Sequence, residues 1–261
     1  MLNARLPHAD ESWDLGRTDG SRHSYLIATT QRSGSHYLAH LLAATGQLGC
    51  PFEYFHPGML ADFERRLETD DPNSTLAEIR RLRTSPSGWF GMKAHWPQFE
   101  CARSEWKLDE AYLSFDRFIL IERRDRIAQA VSLAIAQQTK SWLSVMPAKP
   151  GELHYKPMEI LGHLERIEAE YRCWRLYFAE RGITPFRIVY EDLVADPLAT
   201  LNALLLSFGA EPVPGLPPIS IQRQATQVNQ DWRRRYARDR LIRPNIALRH
   251  VAKALKRRLG R

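Results

Sequence analysis

The sequence predicts an α/β fold in which helices cover both faces of a central parallel sheet. Short runs of bulky apolar residues alternate along the chain with longer segments whose apolar side chains recur every three or four positions. The first pattern is typical of buried strands and the second of amphipathic helices, and their alternation indicates parallel strands joined by crossover helices. The 261 residues, 44% hydrophobic and 26% charged, suffice for one large domain of this kind or two small ones.

Two strands and one helix are predicted in the first half of the chain. Ser24–Thr30 is a run rich in apolar and β-branched residues, which predicts a buried strand. Tyr37–Thr45 predicts a helix, because its leucines recur at helical spacing. Trp89–His95 is short, rich in bulky side chains and preceded by the turn-forming Ser85–Gly88, so it predicts a second strand.

Two further strands and three helices are predicted in the second half. Phe118–Glu122 predicts a strand that leads at Asp125 into a helix. A long helix is predicted over Pro157–Arg181, because apolar side chains recur there at steps of three and four and Gly182 follows in a position favoured after helices. The remaining predicted elements are a strand at Pro185–Tyr190 and a helix at Pro197–Phe208.

The charge distribution separates the C-terminus from the rest of the chain. Residues 233–261 hold 12 Lys/Arg and one acid, Asp239, for a net +11, whereas the other 232 residues hold 25 basic and 29 acidic side chains, for −4. This mildly acidic body argues against a nucleic-acid-binding surface spread over the fold. We expect a flexible N-terminal arm at residues 1–20, one domain at 21–242 and a basic helical tail at 243–261.

The basic segment has three interpretations, which the sequence leaves open. From Arg233 onwards its apolar side chains recur at helical spacing among arginines and lysines, and Pro244 divides it into two pieces. It is a solvated helix whose first part borders bound phosphates, an amphipathic helix on anionic lipid, or a nucleic-acid-binding segment. The third has the least support, because few aromatic residues are interleaved with the charges.

Neither a membrane span nor a disulfide framework is predicted. No stretch approaches the roughly 18 to 20 apolar residues that a span requires, and Asp10, Glu11 and Asp14 stand where a signal peptide would be apolar. The expected location is the cytoplasm, at the inner face of the membrane if the tail binds lipid. The three cysteines are widely spaced, which predicts reduced core thiols. They are Cys50, Cys101 and Cys173.

A tight loop between the first strand and the first helix predicts an anion-binding site. Gln31–Ser35 presents backbone N–H groups and the positive end of a helix to whatever lies in the loop. A P-loop nucleotide triphosphatase needs G-x-x-x-x-G-K-[ST], but Thr29 stands at the first glycine and no lysine follows Gly34. Arg32 can instead bind a compact, doubly charged oxyanion without a metal ion. The alternative is a plain Gly-Ser turn.

Further polar residues fall at the ends of the neighbouring predicted strands. Arg123 follows Phe118–Glu122, and Ser132 lies about two turns into the next helix, so both can reach one anion. Lys93 and His95 lie on the same face of their strand, because side chains two positions apart point the same way. The sequence therefore gathers cations and a hydroxyl around the same sheet edge as the loop.

Separated motifs follow one another along the chain. Q-R-S-G-S comes after the first strand, E-Y-F after the first helix, and W-x-G-x-K-x-x-W on the second strand. R-x-D-x-x-x-Q-A-V-S is then followed by Q-T-K-S-W and by R-Q-A with D-W-x-x-R-Y-x-R-D. This order resembles the bacterial trehalose 2-sulfotransferase family, which includes lipopolysaccharide and nodulation-factor sulfotransferases. The resemblance runs from about Tyr25 to Asp239, and the order of the motifs is more specific than any one of them.

The resemblance implies a P-loop-like sulfotransferase fold that uses 3′-phosphoadenosine 5′-phosphosulfate (PAPS) as sulfuryl donor, without a metal ion. The loop residues and His36 would hold the 5′-phosphosulfate, and Arg123 and Ser132 the 3′-phosphate. His36 departs from the small hydroxyl residue often found at its place in the family. The residues that the resemblance assigns to donor binding are Arg32, Ser33, Gly34, Ser35, His36, Arg123, Ser132, Arg223, Gln224, Trp232 and Arg235.

Sulfuryl transfer to a hydroxyl is an in-line displacement that depends on positioning and charge stabilisation. Lys93 and Arg32 are the candidates for offsetting negative charge on the leaving 5′-phosphate. Two residues compete as the base that takes the acceptor's proton. The resemblance favours Glu53, whose aromatic neighbours are expected to raise its pKa. His95 is the alternative, in a Lys-Ala-His string similar to the K-T-H of animal cytosolic sulfotransferases.

The resemblance further implies a carbohydrate or glycolipid acceptor and a homodimer. Besides Glu53, the candidate acceptor contacts are His56, Trp96 and Trp142, because tryptophan offers a flat apolar face on which a sugar ring packs. A solvent-facing loop for His56 and core packing for the tryptophans are the alternatives. Two other functions stay open: a P-loop small-molecule kinase, which the missing lysine disfavours, and a non-catalytic module that binds a nucleotide or nucleic acid.

Overall fold

A four-stranded parallel sheet forms the centre of the fold, with its strands in the order β2-β1-β3-β4. The computed structural model describes residues 6–142, 151–221 and 226–242. Within those residues no helix is long and apolar enough to cross a membrane. The strands are β1 (His23–Thr29), β2 (Trp89–His95), β3 (Arg117–Glu122) and β4 (Phe186–Val189).

Helices link the strands, and the four helices predicted from the periodicity between residues 37 and 208 are present. The segments between α1 and β2 and between β2 and β3 form four more helices, which the periodicity alone did not predict. The helices are α1 (Ser35–Thr45), α2 (Pro57–Leu67), α3 (Pro72–Arg83), α4 (Trp96–Ser104), α5 (Glu110–Leu113), α6 (Arg126–Thr139), α7 (Pro157–Glu180), α8 (Tyr190–Ala195), α9 (Pro197–Ser207) and α10 (Gln227–Ile242).

Both faces of the sheet are buried, which is why its strands are nearly continuous apolar runs. On one face, side chains of β1, β3 and β4 form a single cluster with those of α1 and α9. On the other face, Phe118 of β3 packs against Tyr177 and Phe178 of α7, with ring centroids 6.1 and 5.4 Å apart. The predicted class, an α/β fold with helices on both faces of a parallel sheet, is confirmed.

The chain divides into two compact units. The first comprises Met1–Arg124 and Ala169–Ile221, and it contains the whole sheet. The second comprises Asp125–Glu168 and Gln222–Arg261, and in it α6 packs against α10. Arg233 of α10 is ion-paired with Asp125, the N-cap residue of α6, within this second unit.

Residues 6–15, part of the predicted flexible arm, are packed within the first unit. They form two 3-10 helices, Pro7–Ala9 and Glu11–Trp13. Asp14 is ion-paired with Arg66 at 3.1 Å and with the fully buried Arg83 at 3.0 Å. The polarity of this segment predicts a loose arm. The sequence does not reveal the ion pairs of Asp14, because its partners lie more than 50 positions away in the chain.

Candidate active site

The carboxyl ends of β1 and β3 lie side by side where the strand order changes direction. The chain leaves β1 for β2 on one side, and it leaves β3 for β4 on the other. In open parallel sheets, ligands bind in the crevice at such a point. The loop that follows β1 and Arg123, which follows β3, meet here: Nη1 of Arg123 lies 3.4 Å from the backbone oxygen of Arg32.

The loop after β1 is a tight turn that leads directly into α1. Arg32 and Gly34 both have left-handed backbone conformations, with φ of 61° and 94°. A Cβ on Gly34 would lie 2.2 Å from Cδ2 of Tyr190, so glycine is required at this position both for its φ and for space. The buried Ser33 hydroxyl is hydrogen-bonded to that of Thr29 at 2.5 Å. The turn therefore directs the amino end of α1 into the crevice.

Two guanidinium groups share this crevice. Burial lowers the pKa of Arg32, the positive charge of Arg123 lowers it further, and the value is about 10. Cζ of Arg123 lies 4.6 Å from the ring centroid of Tyr190, a cation–π distance. Because both guanidinium groups still carry their charge near neutral pH, an anion held between them and the amino end of α1 is stabilised. The residues present fit a bound phosphate or sulfate group.

Glu53 is placed beside β2 by the backbone. The segment that follows α1 runs along this strand, and the backbone N–H of Lys93 donates to the carbonyl of Phe52 at 2.9 Å. Lys93 is fully buried, and its ammonium group is ion-paired with Oε1 of Glu53. Glu53 and Lys93, which are 40 positions apart in the chain, are thus brought into contact as the two candidate catalytic groups.

Three side chains besides Lys93 surround the Glu53 carboxylate. Nε2 of His36 lies 3.3 Å from Oε1, and Nε2 of His95 lies 3.9 Å from the same oxygen. The Gln98 side-chain amide donates to Oε2 at 2.9 Å, and its own oxygen accepts from the backbone N–H of His95 at 2.8 Å. The structure therefore brings together Lys93, Glu53, His36 and His95, four of the residues that the sequence selects.

The pKa of Glu53 is not raised as the sequence suggests. Burial by itself raises it, but the charge of Lys93, together with His95 and His36, holds the pKa well below the ordinary value of a glutamate. Burial lowers the pKa of Lys93, an effect that Glu53 opposes. The expectation was wrong because it counted the apolar neighbours along the chain, whereas the groups that dominate come from β2 and α1.

Among the described residues, no donor faces one acceptor position of the Glu53 carboxylate. Each carboxylate oxygen can accept about two hydrogen bonds. Oε1 contacts Lys93 and His36, while Oε2 accepts only from Gln98 among the described residues. The second acceptor position of Oε2 is therefore where a hydroxyl could deliver its proton.

His56 and Trp96 have structural roles in the first unit. His56 is the N-cap residue of α2, and its Nδ1 accepts from the backbone N–H of Gly58 at 3.1 Å. The Trp96 ring packs edge-on against that of Trp174, with centroids 5.0 Å apart. These contacts match the alternatives of a loop histidine and core packing, and the acceptor contacts assigned to both residues stay predictions.

The other predicted site residues belong to the second unit. Ser132 lies on α6, Trp142 follows that helix, and both are partly buried. Trp232 is buried on α10 with its ring centroid 5.6 Å from that of Tyr155, over whose ring Arg235 also lies at 4.1 Å. Arg223 and Gln224, like the tail at 243–261, lie outside the described residues.

Sequence reasoning missed two residues of this site. Gln98 stands at the third position of α4, where a Gln commonly reaches back to the N-cap backbone, so the string H-W-P-Q was a usable signal. Tyr190 begins a Y-E-D-L string at the start of α8, and nothing in that string signals a contact with the loop. In the structure its ring contacts the loop at Gly34 and the guanidinium of Arg123.

The chain belongs to the Stf0 sulphotransferase family, whose model matches residues 24–239. It is 29% identical to the trehalose 2-sulfotransferase of Mycobacterium tuberculosis (strain Erdman) over 81% of this chain and 93% of that protein. It is 27% identical to the trehalose 2-sulfotransferase of Mycolicibacterium smegmatis over 83% and 95%. The resemblance drawn from the motifs is confirmed.

A sulfotransferase domain among the solved structures also resembles the chain. It is that of the olefin synthase of Synechococcus PCC 7002, with a TM-score of 0.43 and 14% identity. The match covers 86% of this chain and 98% of that domain.

Proposed function

We propose that this protein transfers the sulfuryl group of PAPS to a hydroxyl of a carbohydrate or glycolipid. The observation that carries the proposal is the contact between the two halves of the site. His36 stands in the first turn of α1, directly after the anion loop, and its ring lies 3.3 Å from Glu53. A base and an anion site in contact are what the transfer of an anionic group to a hydroxyl requires.

Each group in the site has a role in that reaction. PAPS supplies an activated sulfuryl group whose bond to the 5′-phosphate oxygen breaks as the bond to the acceptor oxygen forms. Arg32 and the amino end of α1 stabilise the negative charge that develops on the departing phosphate. Oε2 of Glu53 takes the proton of the acceptor hydroxyl. That proton neutralises Glu53, so the charge of Lys93 becomes available to the phosphate.

The low pKa of Glu53 is compatible with this role. A carboxylate tied to Lys93 and His36 is a weak base towards a free alcohol, but the hydroxyl becomes more acidic as its oxygen bonds to sulfur. Proton transfer late in the displacement needs only a correctly placed acceptor, and a positioned base of this kind typically contributes roughly 10²- to 10⁴-fold. The geometry therefore favours Glu53 over His95, whose ring nitrogen is itself 3.9 Å from the carboxylate.

The donor and acceptor classes have different support. The family supports PAPS as donor, and the cluster of Arg32 and Arg123 at the loop fits an anionic group. The carbohydrate acceptor is supported by two relatives that are trehalose 2-sulfotransferases. The homodimer, the cytoplasmic location and the lipid contact of the tail stay predictions, as do the donor contacts of Ser132, Arg223, Gln224, Trp232 and Arg235.

A binding and transfer experiment tests the proposed function. We expect calorimetry to register binding of the product nucleotide, 3′-phosphoadenosine 5′-phosphate (PAP), without added metal. ³⁵S-labelled PAPS should transfer its label to a carbohydrate-containing fraction, with PAP released in equal amount. Tight binding of ATP with Mg²⁺ and none of PAP would instead support a kinase. PAP binding without any acceptor-dependent release would support a non-catalytic module.

The assignment of the base has its own test. We expect Glu53→Gln to lower kcat by roughly 10²- to 10⁴-fold, because the amide cannot accept the proton, while the Kd for PAP changes less than threefold. His95→Asn should lower kcat by less than tenfold. Glu78→Gln is the matched control, since Glu78 makes an ion pair with Arg17 outside the site. If His95→Asn alone abolishes turnover, His95 is the base.

A further inference from the structure

We propose that His8, in the N-terminal 3-10 helix, is a positioning residue whose ring covers His36 and keeps it uncharged beside Glu53. The proposal rests on the proposed function for what it says about catalysis. Its structural part, a covered histidine at the candidate base, can be measured without turnover. The evidence comes from the N-terminal segment Leu6–Leu15, which local sequence predicts to be a loose arm.

This segment is tied to the body of the first unit at both ends and in the middle. The backbone N–H of Leu6 donates to Asp62 at 2.7 Å, and that of Leu15 donates to the carbonyl of Leu82 at 2.8 Å. Arg83 donates to the carbonyl of Asp10 at 2.8 Å. These contacts fix the position of the segment Leu6–Leu15 within the first unit.

The His8 ring is the part of this segment that contacts residues of the site. It stacks on Phe52 with centroids 4.1 Å apart and planes 11° apart, and on His36 with centroids 5.5 Å apart. Its Nε2 is hydrogen-bonded to Nε2 of His40 at 2.9 Å. His40 lies one helical turn after His36 on α1, so the same helix presents His36 and fixes the orientation of the ring that covers it.

The polar contacts of His36 among the described residues all involve its Nε2. This nitrogen lies 3.3 Å from Oε1 of Glu53, to which it can donate, and 3.3 Å from Nζ of Lys93, from which it can accept. Nδ1 is buried and has no hydrogen-bond partner among the described residues. In either neutral form His36 contacts only Oε1 of Glu53, which leaves Oε2 to the acceptor.

Keeping His36 neutral preserves the basicity of Glu53. The titratable groups that face His36 are His8, Lys93, Glu53 and His95. Burial lowers the pKa of His36, the charge of Lys93 lowers it further against the pull of Glu53, and the value is about 4. A protonated His36 would place another full charge beside Glu53 and weaken it as a base. The His36 side chain is 31% exposed with His8 in place, so His8 covers one face of the ring; removing His8 should expose that face as well and allow His36 to protonate nearer pH 6.5.

Two substitutions at His8 separate this role from a merely structural one. In His8→Ala we expect the His36 resonances, followed by NMR on histidine-labelled protein, to titrate with a pKa above 5.5, whereas in the wild type they stay flat between pH 5.5 and 8. The kcat of His8→Ala should fall about tenfold below wild type at pH 5.5 and lie within twofold of it at pH 8. His8→Phe keeps a flat ring over His36, so it should retain the wild-type titration and pH profile.

His23→Ala removes an exposed histidine of β1 that packs on Trp89, and it should change neither the titration nor the profile. If His8→Ala does not fold, His8→Ser also leaves that face of His36 uncovered and carries the same expectation. An unchanged His36 titration in either variant overturns the proposal. If the wild type transfers no sulfuryl group while His36 titrates as expected, the proposed function has failed and the covering role stands.

Discussion

At the scale of single residues, the two carboxylate oxygens of Glu53 have different hydrogen-bond partners. Lys93 and His36 contact one oxygen, and Gln98 donates to the other. Gln98 cannot rotate freely, because its amide oxygen accepts from the backbone of His95 at the start of α4. The amide therefore fixes the plane of the carboxylate, and with it the direction from which an acceptor hydroxyl must approach.

Substitution of Gln98 should reveal this positioning. Gln98→Leu removes a hydrogen bond to a charged group, so we expect kcat to fall roughly tenfold. Gln98→Glu adds a negative charge beside Glu53 and should raise its pKa. Because a base acts only when unprotonated, the acidic limb of the kcat profile should then move to higher pH.

The comparison of the two Gln98 variants supplies the control. Gln98→Leu should leave the acidic limb within about half a pH unit of wild type, since it introduces no charge. Both variants should bind PAP like wild type, as measured by calorimetry. If the limb stays in place in Gln98→Glu, then Glu53 is not the group that titrates in catalysis.

At the scale of elements, the start of α1 depends on one glycine and one distant tyrosine. Gly34 is the N-cap of α1 in a left-handed conformation, and Tyr190, the first residue of α8, fills the space where its Cβ would be. The same tyrosine ring supports Arg123 at the end of β3. The ring of Tyr190 thus packs against both the anion loop and the residue that follows β3.

Gly34→Ala should therefore damage the loop more than left-handed strain alone. The strain costs about 1–2 kcal/mol, and the clash with Tyr190 adds to it, so we expect a loss above 2 kcal/mol in urea unfolding and weaker PAP binding. Gly46→Ala is the matched control at the other end of α1, where φ is 69° and nothing lies within 4 Å of the added Cβ. Equal losses in both variants would contradict the packing role of Tyr190.

At the scale of the whole molecule, three histidines connect stability to pH: His8 and His40 are buried, and His36 is partly buried. The pKa is lowered by burial to about 2 for His8 and to about 4 for His36 and His40, with neighbouring positive charges adding to the effect. The unfolded chain binds protons at these groups near pH 6.5, whereas the folded chain does so only at lower pH. Their contribution to stability is therefore complete above about pH 6.5 and is lost as the pH falls below it.

We expect the free energy of unfolding to decrease between pH 7.5 and 5 in urea titrations. The limiting slope is about 1.4 kcal/mol per pH unit for each histidine that stays neutral in the folded state. His8→Phe combined with His40→Leu removes two of these groups and should flatten the dependence. His23→Ala should leave it unchanged. A wild-type stability that is constant over this range would show that the three histidines are not held neutral.

The amino-acid sequence by itself determined the strands, the helices with regular apolar spacing, the anion loop and the family. These features are local: they depend on hydrophobic spacing, on turn residues and on short motifs. The tertiary structure decided the rest, because it depends on pairs far apart in the chain. The contacts of Lys93 with Glu53, of Gly34 with Tyr190 and of His8 with His36 set the pKa values and geometry of the site, and spacing along a chain does not contain them.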